Sequence, residues 1–238
     1  MHSQHTTYGG LNCQILSPRD EPPKALVVLC HGYGASGRDL APLAAALATL
    51  TPAASQVRFL LPEAPLSLAS LGLTSGRAWW HLDVAALQQR RLQTADWQQQ
   101  LRQEAFPGLP AARRLLRNAI DIALQQAGLG YEALVLGGFS QGAMLTTDLA
   151  LRLEEAPAGL AILSGTLTDE PSWTKLAARR QGLRVVQSHG RQDPILPYAN
   201  AEALRDLLKA AGCEVQFLPF PGGHTIPEEA LLAVSGLL

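Results

Sequence analysis

Gly138-Phe139-Ser140-Gln141-Gly142 places one serine on a turn bounded by glycines. An apolar run ends at Phe139, and a helix-like stretch from Ala143 to Leu153 follows. A strand, a tight turn and a helix form the context that a nucleophile elbow requires. A serine forced onto a sharp turn needs neighbours without side chains, so that the backbone folds tightly and the hydroxyl projects. The helix that follows aims its N-terminus at the serine, where developing negative charge is favoured. The same five residues also read as an ordinary Gly-Ser turn, so the chemistry depends on partners elsewhere in the chain.

A serine hydroxyl is a poor nucleophile until a base takes its proton. Of the six histidines, His2 and His5 lie in a polar terminus expected to fray, and His81 follows Trp79-Trp80. His31 and His189 each follow an apolar run and precede glycine, which suits a loop-shaping role. His224, in Pro221-Gly222-Gly223-His224, lies beyond the last apolar run, at the strand edge where α/β sites collect. A third group must hold the base in one tautomer and stabilise its charged form. Asp193 follows the run Leu183–Gln187, Asp169 follows the preceding run and competes with it, and Asp148 falls inside the helix after the serine. The order Ser140, Asp193, His224 is that of an α/β-hydrolase. An oxyanion also needs fixed donors. By position the backbone N–H of Gln141 supplies one, and the loop His31-Gly32-Tyr33-Gly34 is placed to supply another.

Parallel strands buried on both faces would position these groups. Short apolar runs recur at Ala25–Cys30, Val57–Leu61, Ala133–Phe139, Leu160–Leu163, Leu183–Gln187 and Val215–Leu218, and continuous runs of that length suit a parallel sheet. Between them, Ala112, Leu115, Leu116, Ala119, Ile120, Ala123 and Leu124 follow helical spacing and Gly128 supplies a stop. Leu204, Leu207, Leu208 and Ala211 repeat the pattern before Gly212. The alternation predicts a mostly parallel, doubly wound α/β sheet with helices on both faces. One domain is expected over residues 1–238, with 66–106 open to reading as a lid or insertion. Val84 to Phe106 carries seven glutamines with weak periodicity, which a solvated surface helix explains.

At 47% hydrophobic and 16% charged, the 238-residue chain is not disordered. Its formal charge of −1 gives no basic surplus for nucleic acid or an acidic membrane. Three scattered cysteines form no disulfide framework or metal motif. No apolar run is long enough to span a bilayer, and no signal-peptide layout opens the chain, so a cytoplasmic location is expected.

Taken together, Leu29-Cys30-His31-Gly32-Tyr33-Gly34, Leu61-Pro62-Glu63-Ala64-Pro65, Arg77-Ala78-Trp79-Trp80, Gly138 to Ala143, His189 to Pro197 and Gly223-His224 resemble the phospholipase/carboxylesterase family of α/β-hydrolases, which includes the acyl-protein thioesterases. The resemblance runs in order from Leu26 to Ile226. It implies Ser140 as nucleophile, Asp193 as acid and His224 as base, with backbone N–H groups of Tyr33 and Gln141 as the oxyanion hole. It implies no cofactor or metal. Tyr33 stands where that family often has leucine, Trp79-Trp80 replaces Trp-Tyr, and Val84–Phe106 is long and polar; these departures bear on specificity and spare the triad.

The expected activity is hydrolysis of small carboxylic esters of short to medium acyl chains through an acyl-enzyme. A thioesterase or lysophospholipase is the enzymatic alternative, and a non-catalytic binding protein on the same fold is the alternative of another class. The oligomeric state is not legible. Leu66, Leu68, Leu71 and Leu73, between Pro65 and Trp79-Trp80, suggest an apolar wall to the acyl site, with Leu73 and Trp80 as its expected substrate contacts.

Overall fold

In a strand buried on both faces, successive side chains enter two different cores. Within Ala25–Cys30, Leu26, Val28 and Cys30 pack into one apolar cluster while Val27 and Leu29 pack into the other. A computed structural model describes residues 1–18, 21–83, 86, 89 and 95–238. Its first strands are β1 (His2–Tyr8), β2 (Leu11–Ser17) and β3 (Ala25–Cys30), followed by helix α1 (Ala41–Leu50) and β4 (Val57–Pro62). A small hairpin, β5 (Leu66–Ser67) with β6 (Arg77–Ala78), then precedes α2 (Trp97–Gln103) and α3 (Leu109–Ala127). Strand and helix alternate thereafter: β7 (Leu134–Phe139), α4 (Gln141–Arg152), β8 (Gly159–Leu163), α5 (Glu170–Ala177), β9 (Arg184–Gly190), α6 (Tyr198–Ala210), β10 (Glu214–Phe220) and α7 (Glu228–Ser235).

Among the described residues the main sheet has eight strands in the order β1-β2-β4-β3-β7-β8-β9-β10. β1 and β2, and β2 and β4, pair antiparallel, and every other neighbouring pair is parallel. Helices cover both faces. Ala44 and Leu47 of α1 and Ala230 and Val234 of α7 fill one core. Leu116 and Ile120 of α3, Leu145 and Leu149 of α4, Trp173 of α5 and Leu204 of α6 fill the other.

The six expected strands are all present, and the helical pattern at Ala112–Leu124 lies within α3. The N-terminus departs from expectation: His2 and His5 belong to the edge strand β1 rather than a frayed tail. Most of β1 is exposed, so it carries no alternation of apolar and polar residues to read; its order comes from backbone pairing with β2. Of the polar stretch Val84–Phe106, residues 84–85, 87–88 and 90–94 lie outside the described ones, and its later part forms α2. That short helix is half-integrated rather than solvated all round, since Leu101 is buried.

Candidate active site

Parallel strands β3, β7, β9 and β10 end at one edge, and the loops that leave them, together with Leu82 and α2, line a cavity of about 310 Å³. Ser140 lies at the junction of β7 and α4, with φ 54° and ψ −119°, one of three described non-glycine residues at positive φ. Such a backbone costs of order 1–3 kcal/mol and persists only where its surroundings enforce it. Here the enforcement is visible. The Ser140 N–H donates to the Leu163 carbonyl at 2.9 Å, and its own carbonyl accepts the N–H of Met144 at 3.1 Å. A Cβ on Gly142 would collide with the Cys30 carbonyl, and one on Gly138 with the backbone of Gly142. Both glycines therefore allow α4 to dock against the ends of β3 and β7.

Asp193 and His224 come from the loops after β9 and β10. The His224 Nδ1–H donates to Asp193 Oδ2 at 2.6 Å. This bond holds the imidazole in the tautomer whose Nε2 carries a lone pair. The other carboxylate oxygen, Oδ1, accepts the backbone N–H groups of Ile195 at 2.8 Å and Leu196 at 2.9 Å. Burial alone would raise the Asp193 pKa, but the hydrogen bonds from His224 and from these N–H groups outweigh it, so the carboxyl is held below its ordinary value. Asp169, the competing candidate, stands elsewhere: it caps α5 and pairs with Arg152 at 3.4 Å. Asp148 is fully buried among Arg113, Arg152 and the Trp173 indole N–H, a brace for α4.

His31 and His189 shape loops. The Ala64 N–H donates to His31 Nε2 at 3.1 Å, which leaves Nδ1–H to donate to the Gly32 carbonyl at 2.8 Å. The Trp79 indole N–H in turn donates to the His31 carbonyl at 2.9 Å. Gly34 N–H donates to the Arg77 carbonyl and Arg77 N–H to that of Ala35, each at 2.9 Å, so β6 fastens the His31–Gly34 loop. His189 Nε2–H donates to the Leu196 carbonyl at 3.0 Å and lies 3.3 Å from Asp193 Oδ2. Burial lowers the pKa of both histidines.

Ser140, His224, Tyr33 and Gln141 all line the cavity. Among the described residues neither the Tyr33 nor the Gln141 backbone N–H has a hydrogen-bond partner, so both remain available to an anion. The Gln141 side chain is spent on structure: Oε1 accepts the Trp79 N–H and Nε2 donates to the Trp80 carbonyl, both at 2.9 Å. Apolar walls come from Leu82, Trp97, Leu101, Met144, Ile195 and Leu196.

The expected substrate contacts Leu73 and Trp80 are not among the lining residues. Trp80 is 1% exposed and stacks on Phe106 with ring centroids 5.6 Å apart, so it belongs to the core. Leu73 is 45% exposed on the β5–β6 hairpin, beside Gly34 and outside the cavity. Met144 and Leu101 line the cavity instead. Both had a signal in the sequence: Met144 follows Ser140 by one helical turn, and Trp97 and Leu101 share a helix face in the glutamine-rich stretch.

The sequence profile of the phospholipase/carboxylesterase family matches residues 11–238. The chain belongs to that family. Acyl-protein thioesterase 1 of Gibberella zeae is 27% identical over 220 residues, covering 90% of each chain. The protein of the same name from Eremothecium gossypii is 30% identical over 192 residues, 79% of this chain and 74% of the relative. Among solved structures, esterase PE8 superposes with a TM-score of 0.75 at 29% identity, covering 93% of this chain and 94% of its own. A carboxylesterase from Mesorhizobium loti also gives 0.75, at 19% identity and 99% and 98% coverage, a likeness of fold. As a member of the phospholipase/carboxylesterase family, the protein has the α/β-hydrolase fold and is a hydrolase of the esterase and thioesterase type. None of its described helices is long and apolar enough to cross a membrane, and no described cluster of side chains could hold a metal ion.

Proposed function

We propose that the chain acts as one domain and hydrolyses carboxylic esters of short to medium acyl chains, with Ser140 as nucleophile, His224 as base and Asp193 as its orienting acid. One observation carries the reading: the imidazole that shares the cavity with Ser140 is bonded through Nδ1 to a buried carboxylate. His224 Nε2 takes the Ser140 proton as Oγ attacks the carbonyl carbon. The resulting oxyanion accepts the Tyr33 and Gln141 N–H groups, helped by the positive end of α4. His224 then protonates the departing alcohol, and water, deprotonated by the same nitrogen, releases the acid. Asp193, kept ionised by its hydrogen bonds from His224, Leu196 and Ile195, steadies the imidazolium.

The cavity volume sits at the small end of the range of roughly 300–1,000 Å³ typical of ligand sites, and its walls are apolar, which suits a short to medium acyl chain. A second reading, hydrolysis of acyl thioesters, draws support from the curated relatives named acyl-protein thioesterase 1. The same machinery serves both bonds.

A serine-reactive phosphonate should label the protein at Ser140, and Ser140→Ala should remain folded, resist labelling and lose of order 10⁶-fold in kcat. Ester and thioester substrates in matched acyl series then rank the two readings. Substantial turnover by clean Ser140→Ala protein overturns the assignment.

A further inference from the structure

Ser164 shares the backbone anomaly of Ser140. Its φ is 49°, it is fully buried, and it lies just after β8, outside the set of groups given a chemical role above. A left-handed, side-chain-bearing residue in a core calls for a specific reason. Its hydrogen bonds supply one. The Ser164 hydroxyl donates to the carbonyl of Thr225, the residue after His224, at 2.8 Å. The Ser164 N–H donates to the Ser188 carbonyl at 2.9 Å, which ties it to β9. The residue before it, Leu163, accepts the Ser140 N–H at 2.9 Å. Two consecutive residues therefore grip the backbone of the serine and the backbone next to the histidine.

The turn that carries His224 is also held by Phe139, whose ring centroid lies 4.8 Å from that of the imidazole, and by Ile226, which packs on the core just beyond it. It is closed on itself by the Thr225 N–H donating to the Gly223 carbonyl at 3.1 Å, and it rests on β9 where a Cβ at Gly190 would collide with the carbonyls of Gly222 and Gly223. These last contacts fix the near side of the turn, before His224. The hydroxyl of Ser164 is the described side-chain donor that fixes the far side. Gly165, next in the chain, lies close enough to α4 that a Cβ there would meet that of Ala143 at 2.9 Å. The same segment is thus pressed against the helix that begins at Ser140. The positive φ at Ser164 turns the chain so that its N–H reaches β9 while its side chain reaches the His224 turn.

We infer that Ser164 is a positioning residue: its hydroxyl, held by the strained turn after β8, sets the spacing between the His224 imidazole and the Ser140 hydroxyl. The inference rests on the assignment of Ser140 and His224 as nucleophile and base. Proton transfer needs donor and acceptor within hydrogen-bond reach, and a misplacement of about 1 Å from a remote change can cost roughly 10²-fold. Ser164 touches neither substrate nor reacting atoms, so its loss should act on kcat and leave substrate binding alone.

Two variants separate this role from simple stabilisation. Ser164→Ala removes the hydroxyl and keeps the backbone strain. Ser164→Gly removes the hydroxyl and relieves the strain, because glycine adopts positive φ freely. Both should lower kcat by about 10- to 100-fold with KM changed less than about threefold, and both should slow phosphonate labelling of Ser140. The glycine variant should melt no lower than the alanine variant while losing as much activity. In a double-mutant cycle, Ser164→Gly added to His224→Ala should cost nothing further, since the hydroxyl acts through the imidazole it steadies. Full kcat in folded Ser164→Gly, or a loss that adds in full to that of His224→Ala, overturns the inference. If Ser140→Ala and His224→Ala themselves stay active, it is the triad assignment that fails.

Discussion

Two walls enclose the cavity, and they are built differently. On the side of Ser140, Asp193 and His224, position is set by backbone: strand ends, N–H groups aimed at a carboxylate, and glycines whose missing side chains permit close docking. On the opposite side, Trp97, Leu101 and Leu82 bound the cavity with side chains carried by α2 and its flank. That helix is tethered by scattered side-chain bonds, such as Asn200 Nδ2–H to the Gln98 carbonyl at 3.0 Å and Gln103 Nε2–H to Glu170 at 2.7 Å. Chemistry held by backbone tolerates little change, whereas a binding wall held by side chains can be recut one residue at a time. Under the proposed mechanism, the contrast separates residues that decide whether the reaction occurs from those that decide on what.

The largest way to test that contrast lies on the backbone-held wall. Asp193→Asn should lower kcat by about 10⁴-fold, because the amide presents the wrong partner to His224 Nδ1–H. Asp169→Asn should change kcat little, since its carboxylate pairs with Arg152 away from the cavity. Steady-state kinetics on the two purified variants decide it, and the reverse ranking would relocate the triad.

On the side-chain wall the effect should be smaller and graded. Leu101→Ala removes an apolar side chain that α2 places against the cavity and should move the preferred acyl chain to longer lengths. Each methylene newly accommodated is worth about 0.8 kcal/mol, or roughly fourfold in kcat/KM. Leu73→Ala serves as the control with an unchanged chain-length profile. An acyl series that leaves the Leu101→Ala profile untouched would detach this wall from the substrate.

The smallest effect concerns stability. Burial lowers the pKa of His31 and His189, so the unfolded chain takes up protons that the native one refuses. With the unfolded state binding more protons, stability rises with pH: it is full above the ordinary histidine value of about 6.5 and declines as pH falls below it. Asp193, with its pKa also lowered, adds a further loss when pH falls below the ordinary carboxyl value of about 4. Denaturant midpoints should hold level from about pH 8 to about pH 7 and then fall towards about pH 5. A flat profile would mean that these histidines accept protons without disturbing their loops.

The parallel core was legible because strands buried on both faces are continuous apolar runs, as Ala25–Cys30 and Leu134–Phe139 are. The elbow was legible because its glycines answer a steric need that no other residue meets. In the sequence Asp193 was set apart from Asp169 by the family resemblance rather than by its position after a strand, which both share; the Nδ1–Oδ2 bond is what pairs Asp193 with His224. β1 left no trace because an exposed edge strand has no buried face to pattern its residues. The leucines near Leu73 misled because hydrophobicity signals burial or exposure only with the backbone direction known: Leu68 is buried and Leu71 exposed within one short loop. Ser164 had no signal at all, because a serine's φ is not written in its neighbours.

The docking of Gly142 beneath the Cys30 carbonyl joins segments far apart in the chain. The strained backbone of Ser140 is held by that contact together with the bond to Leu163, and the two together require β3, β7 and β8 side by side. Long-range pairing of this kind comes late and slowly in folding. A chain lacking any of the three strands loses at least one of these restraints, and the proposed nucleophile is then free to relax. On heating, the reverse holds: catalysis should fade with the first loosening at this junction, ahead of the collapse of the sheet.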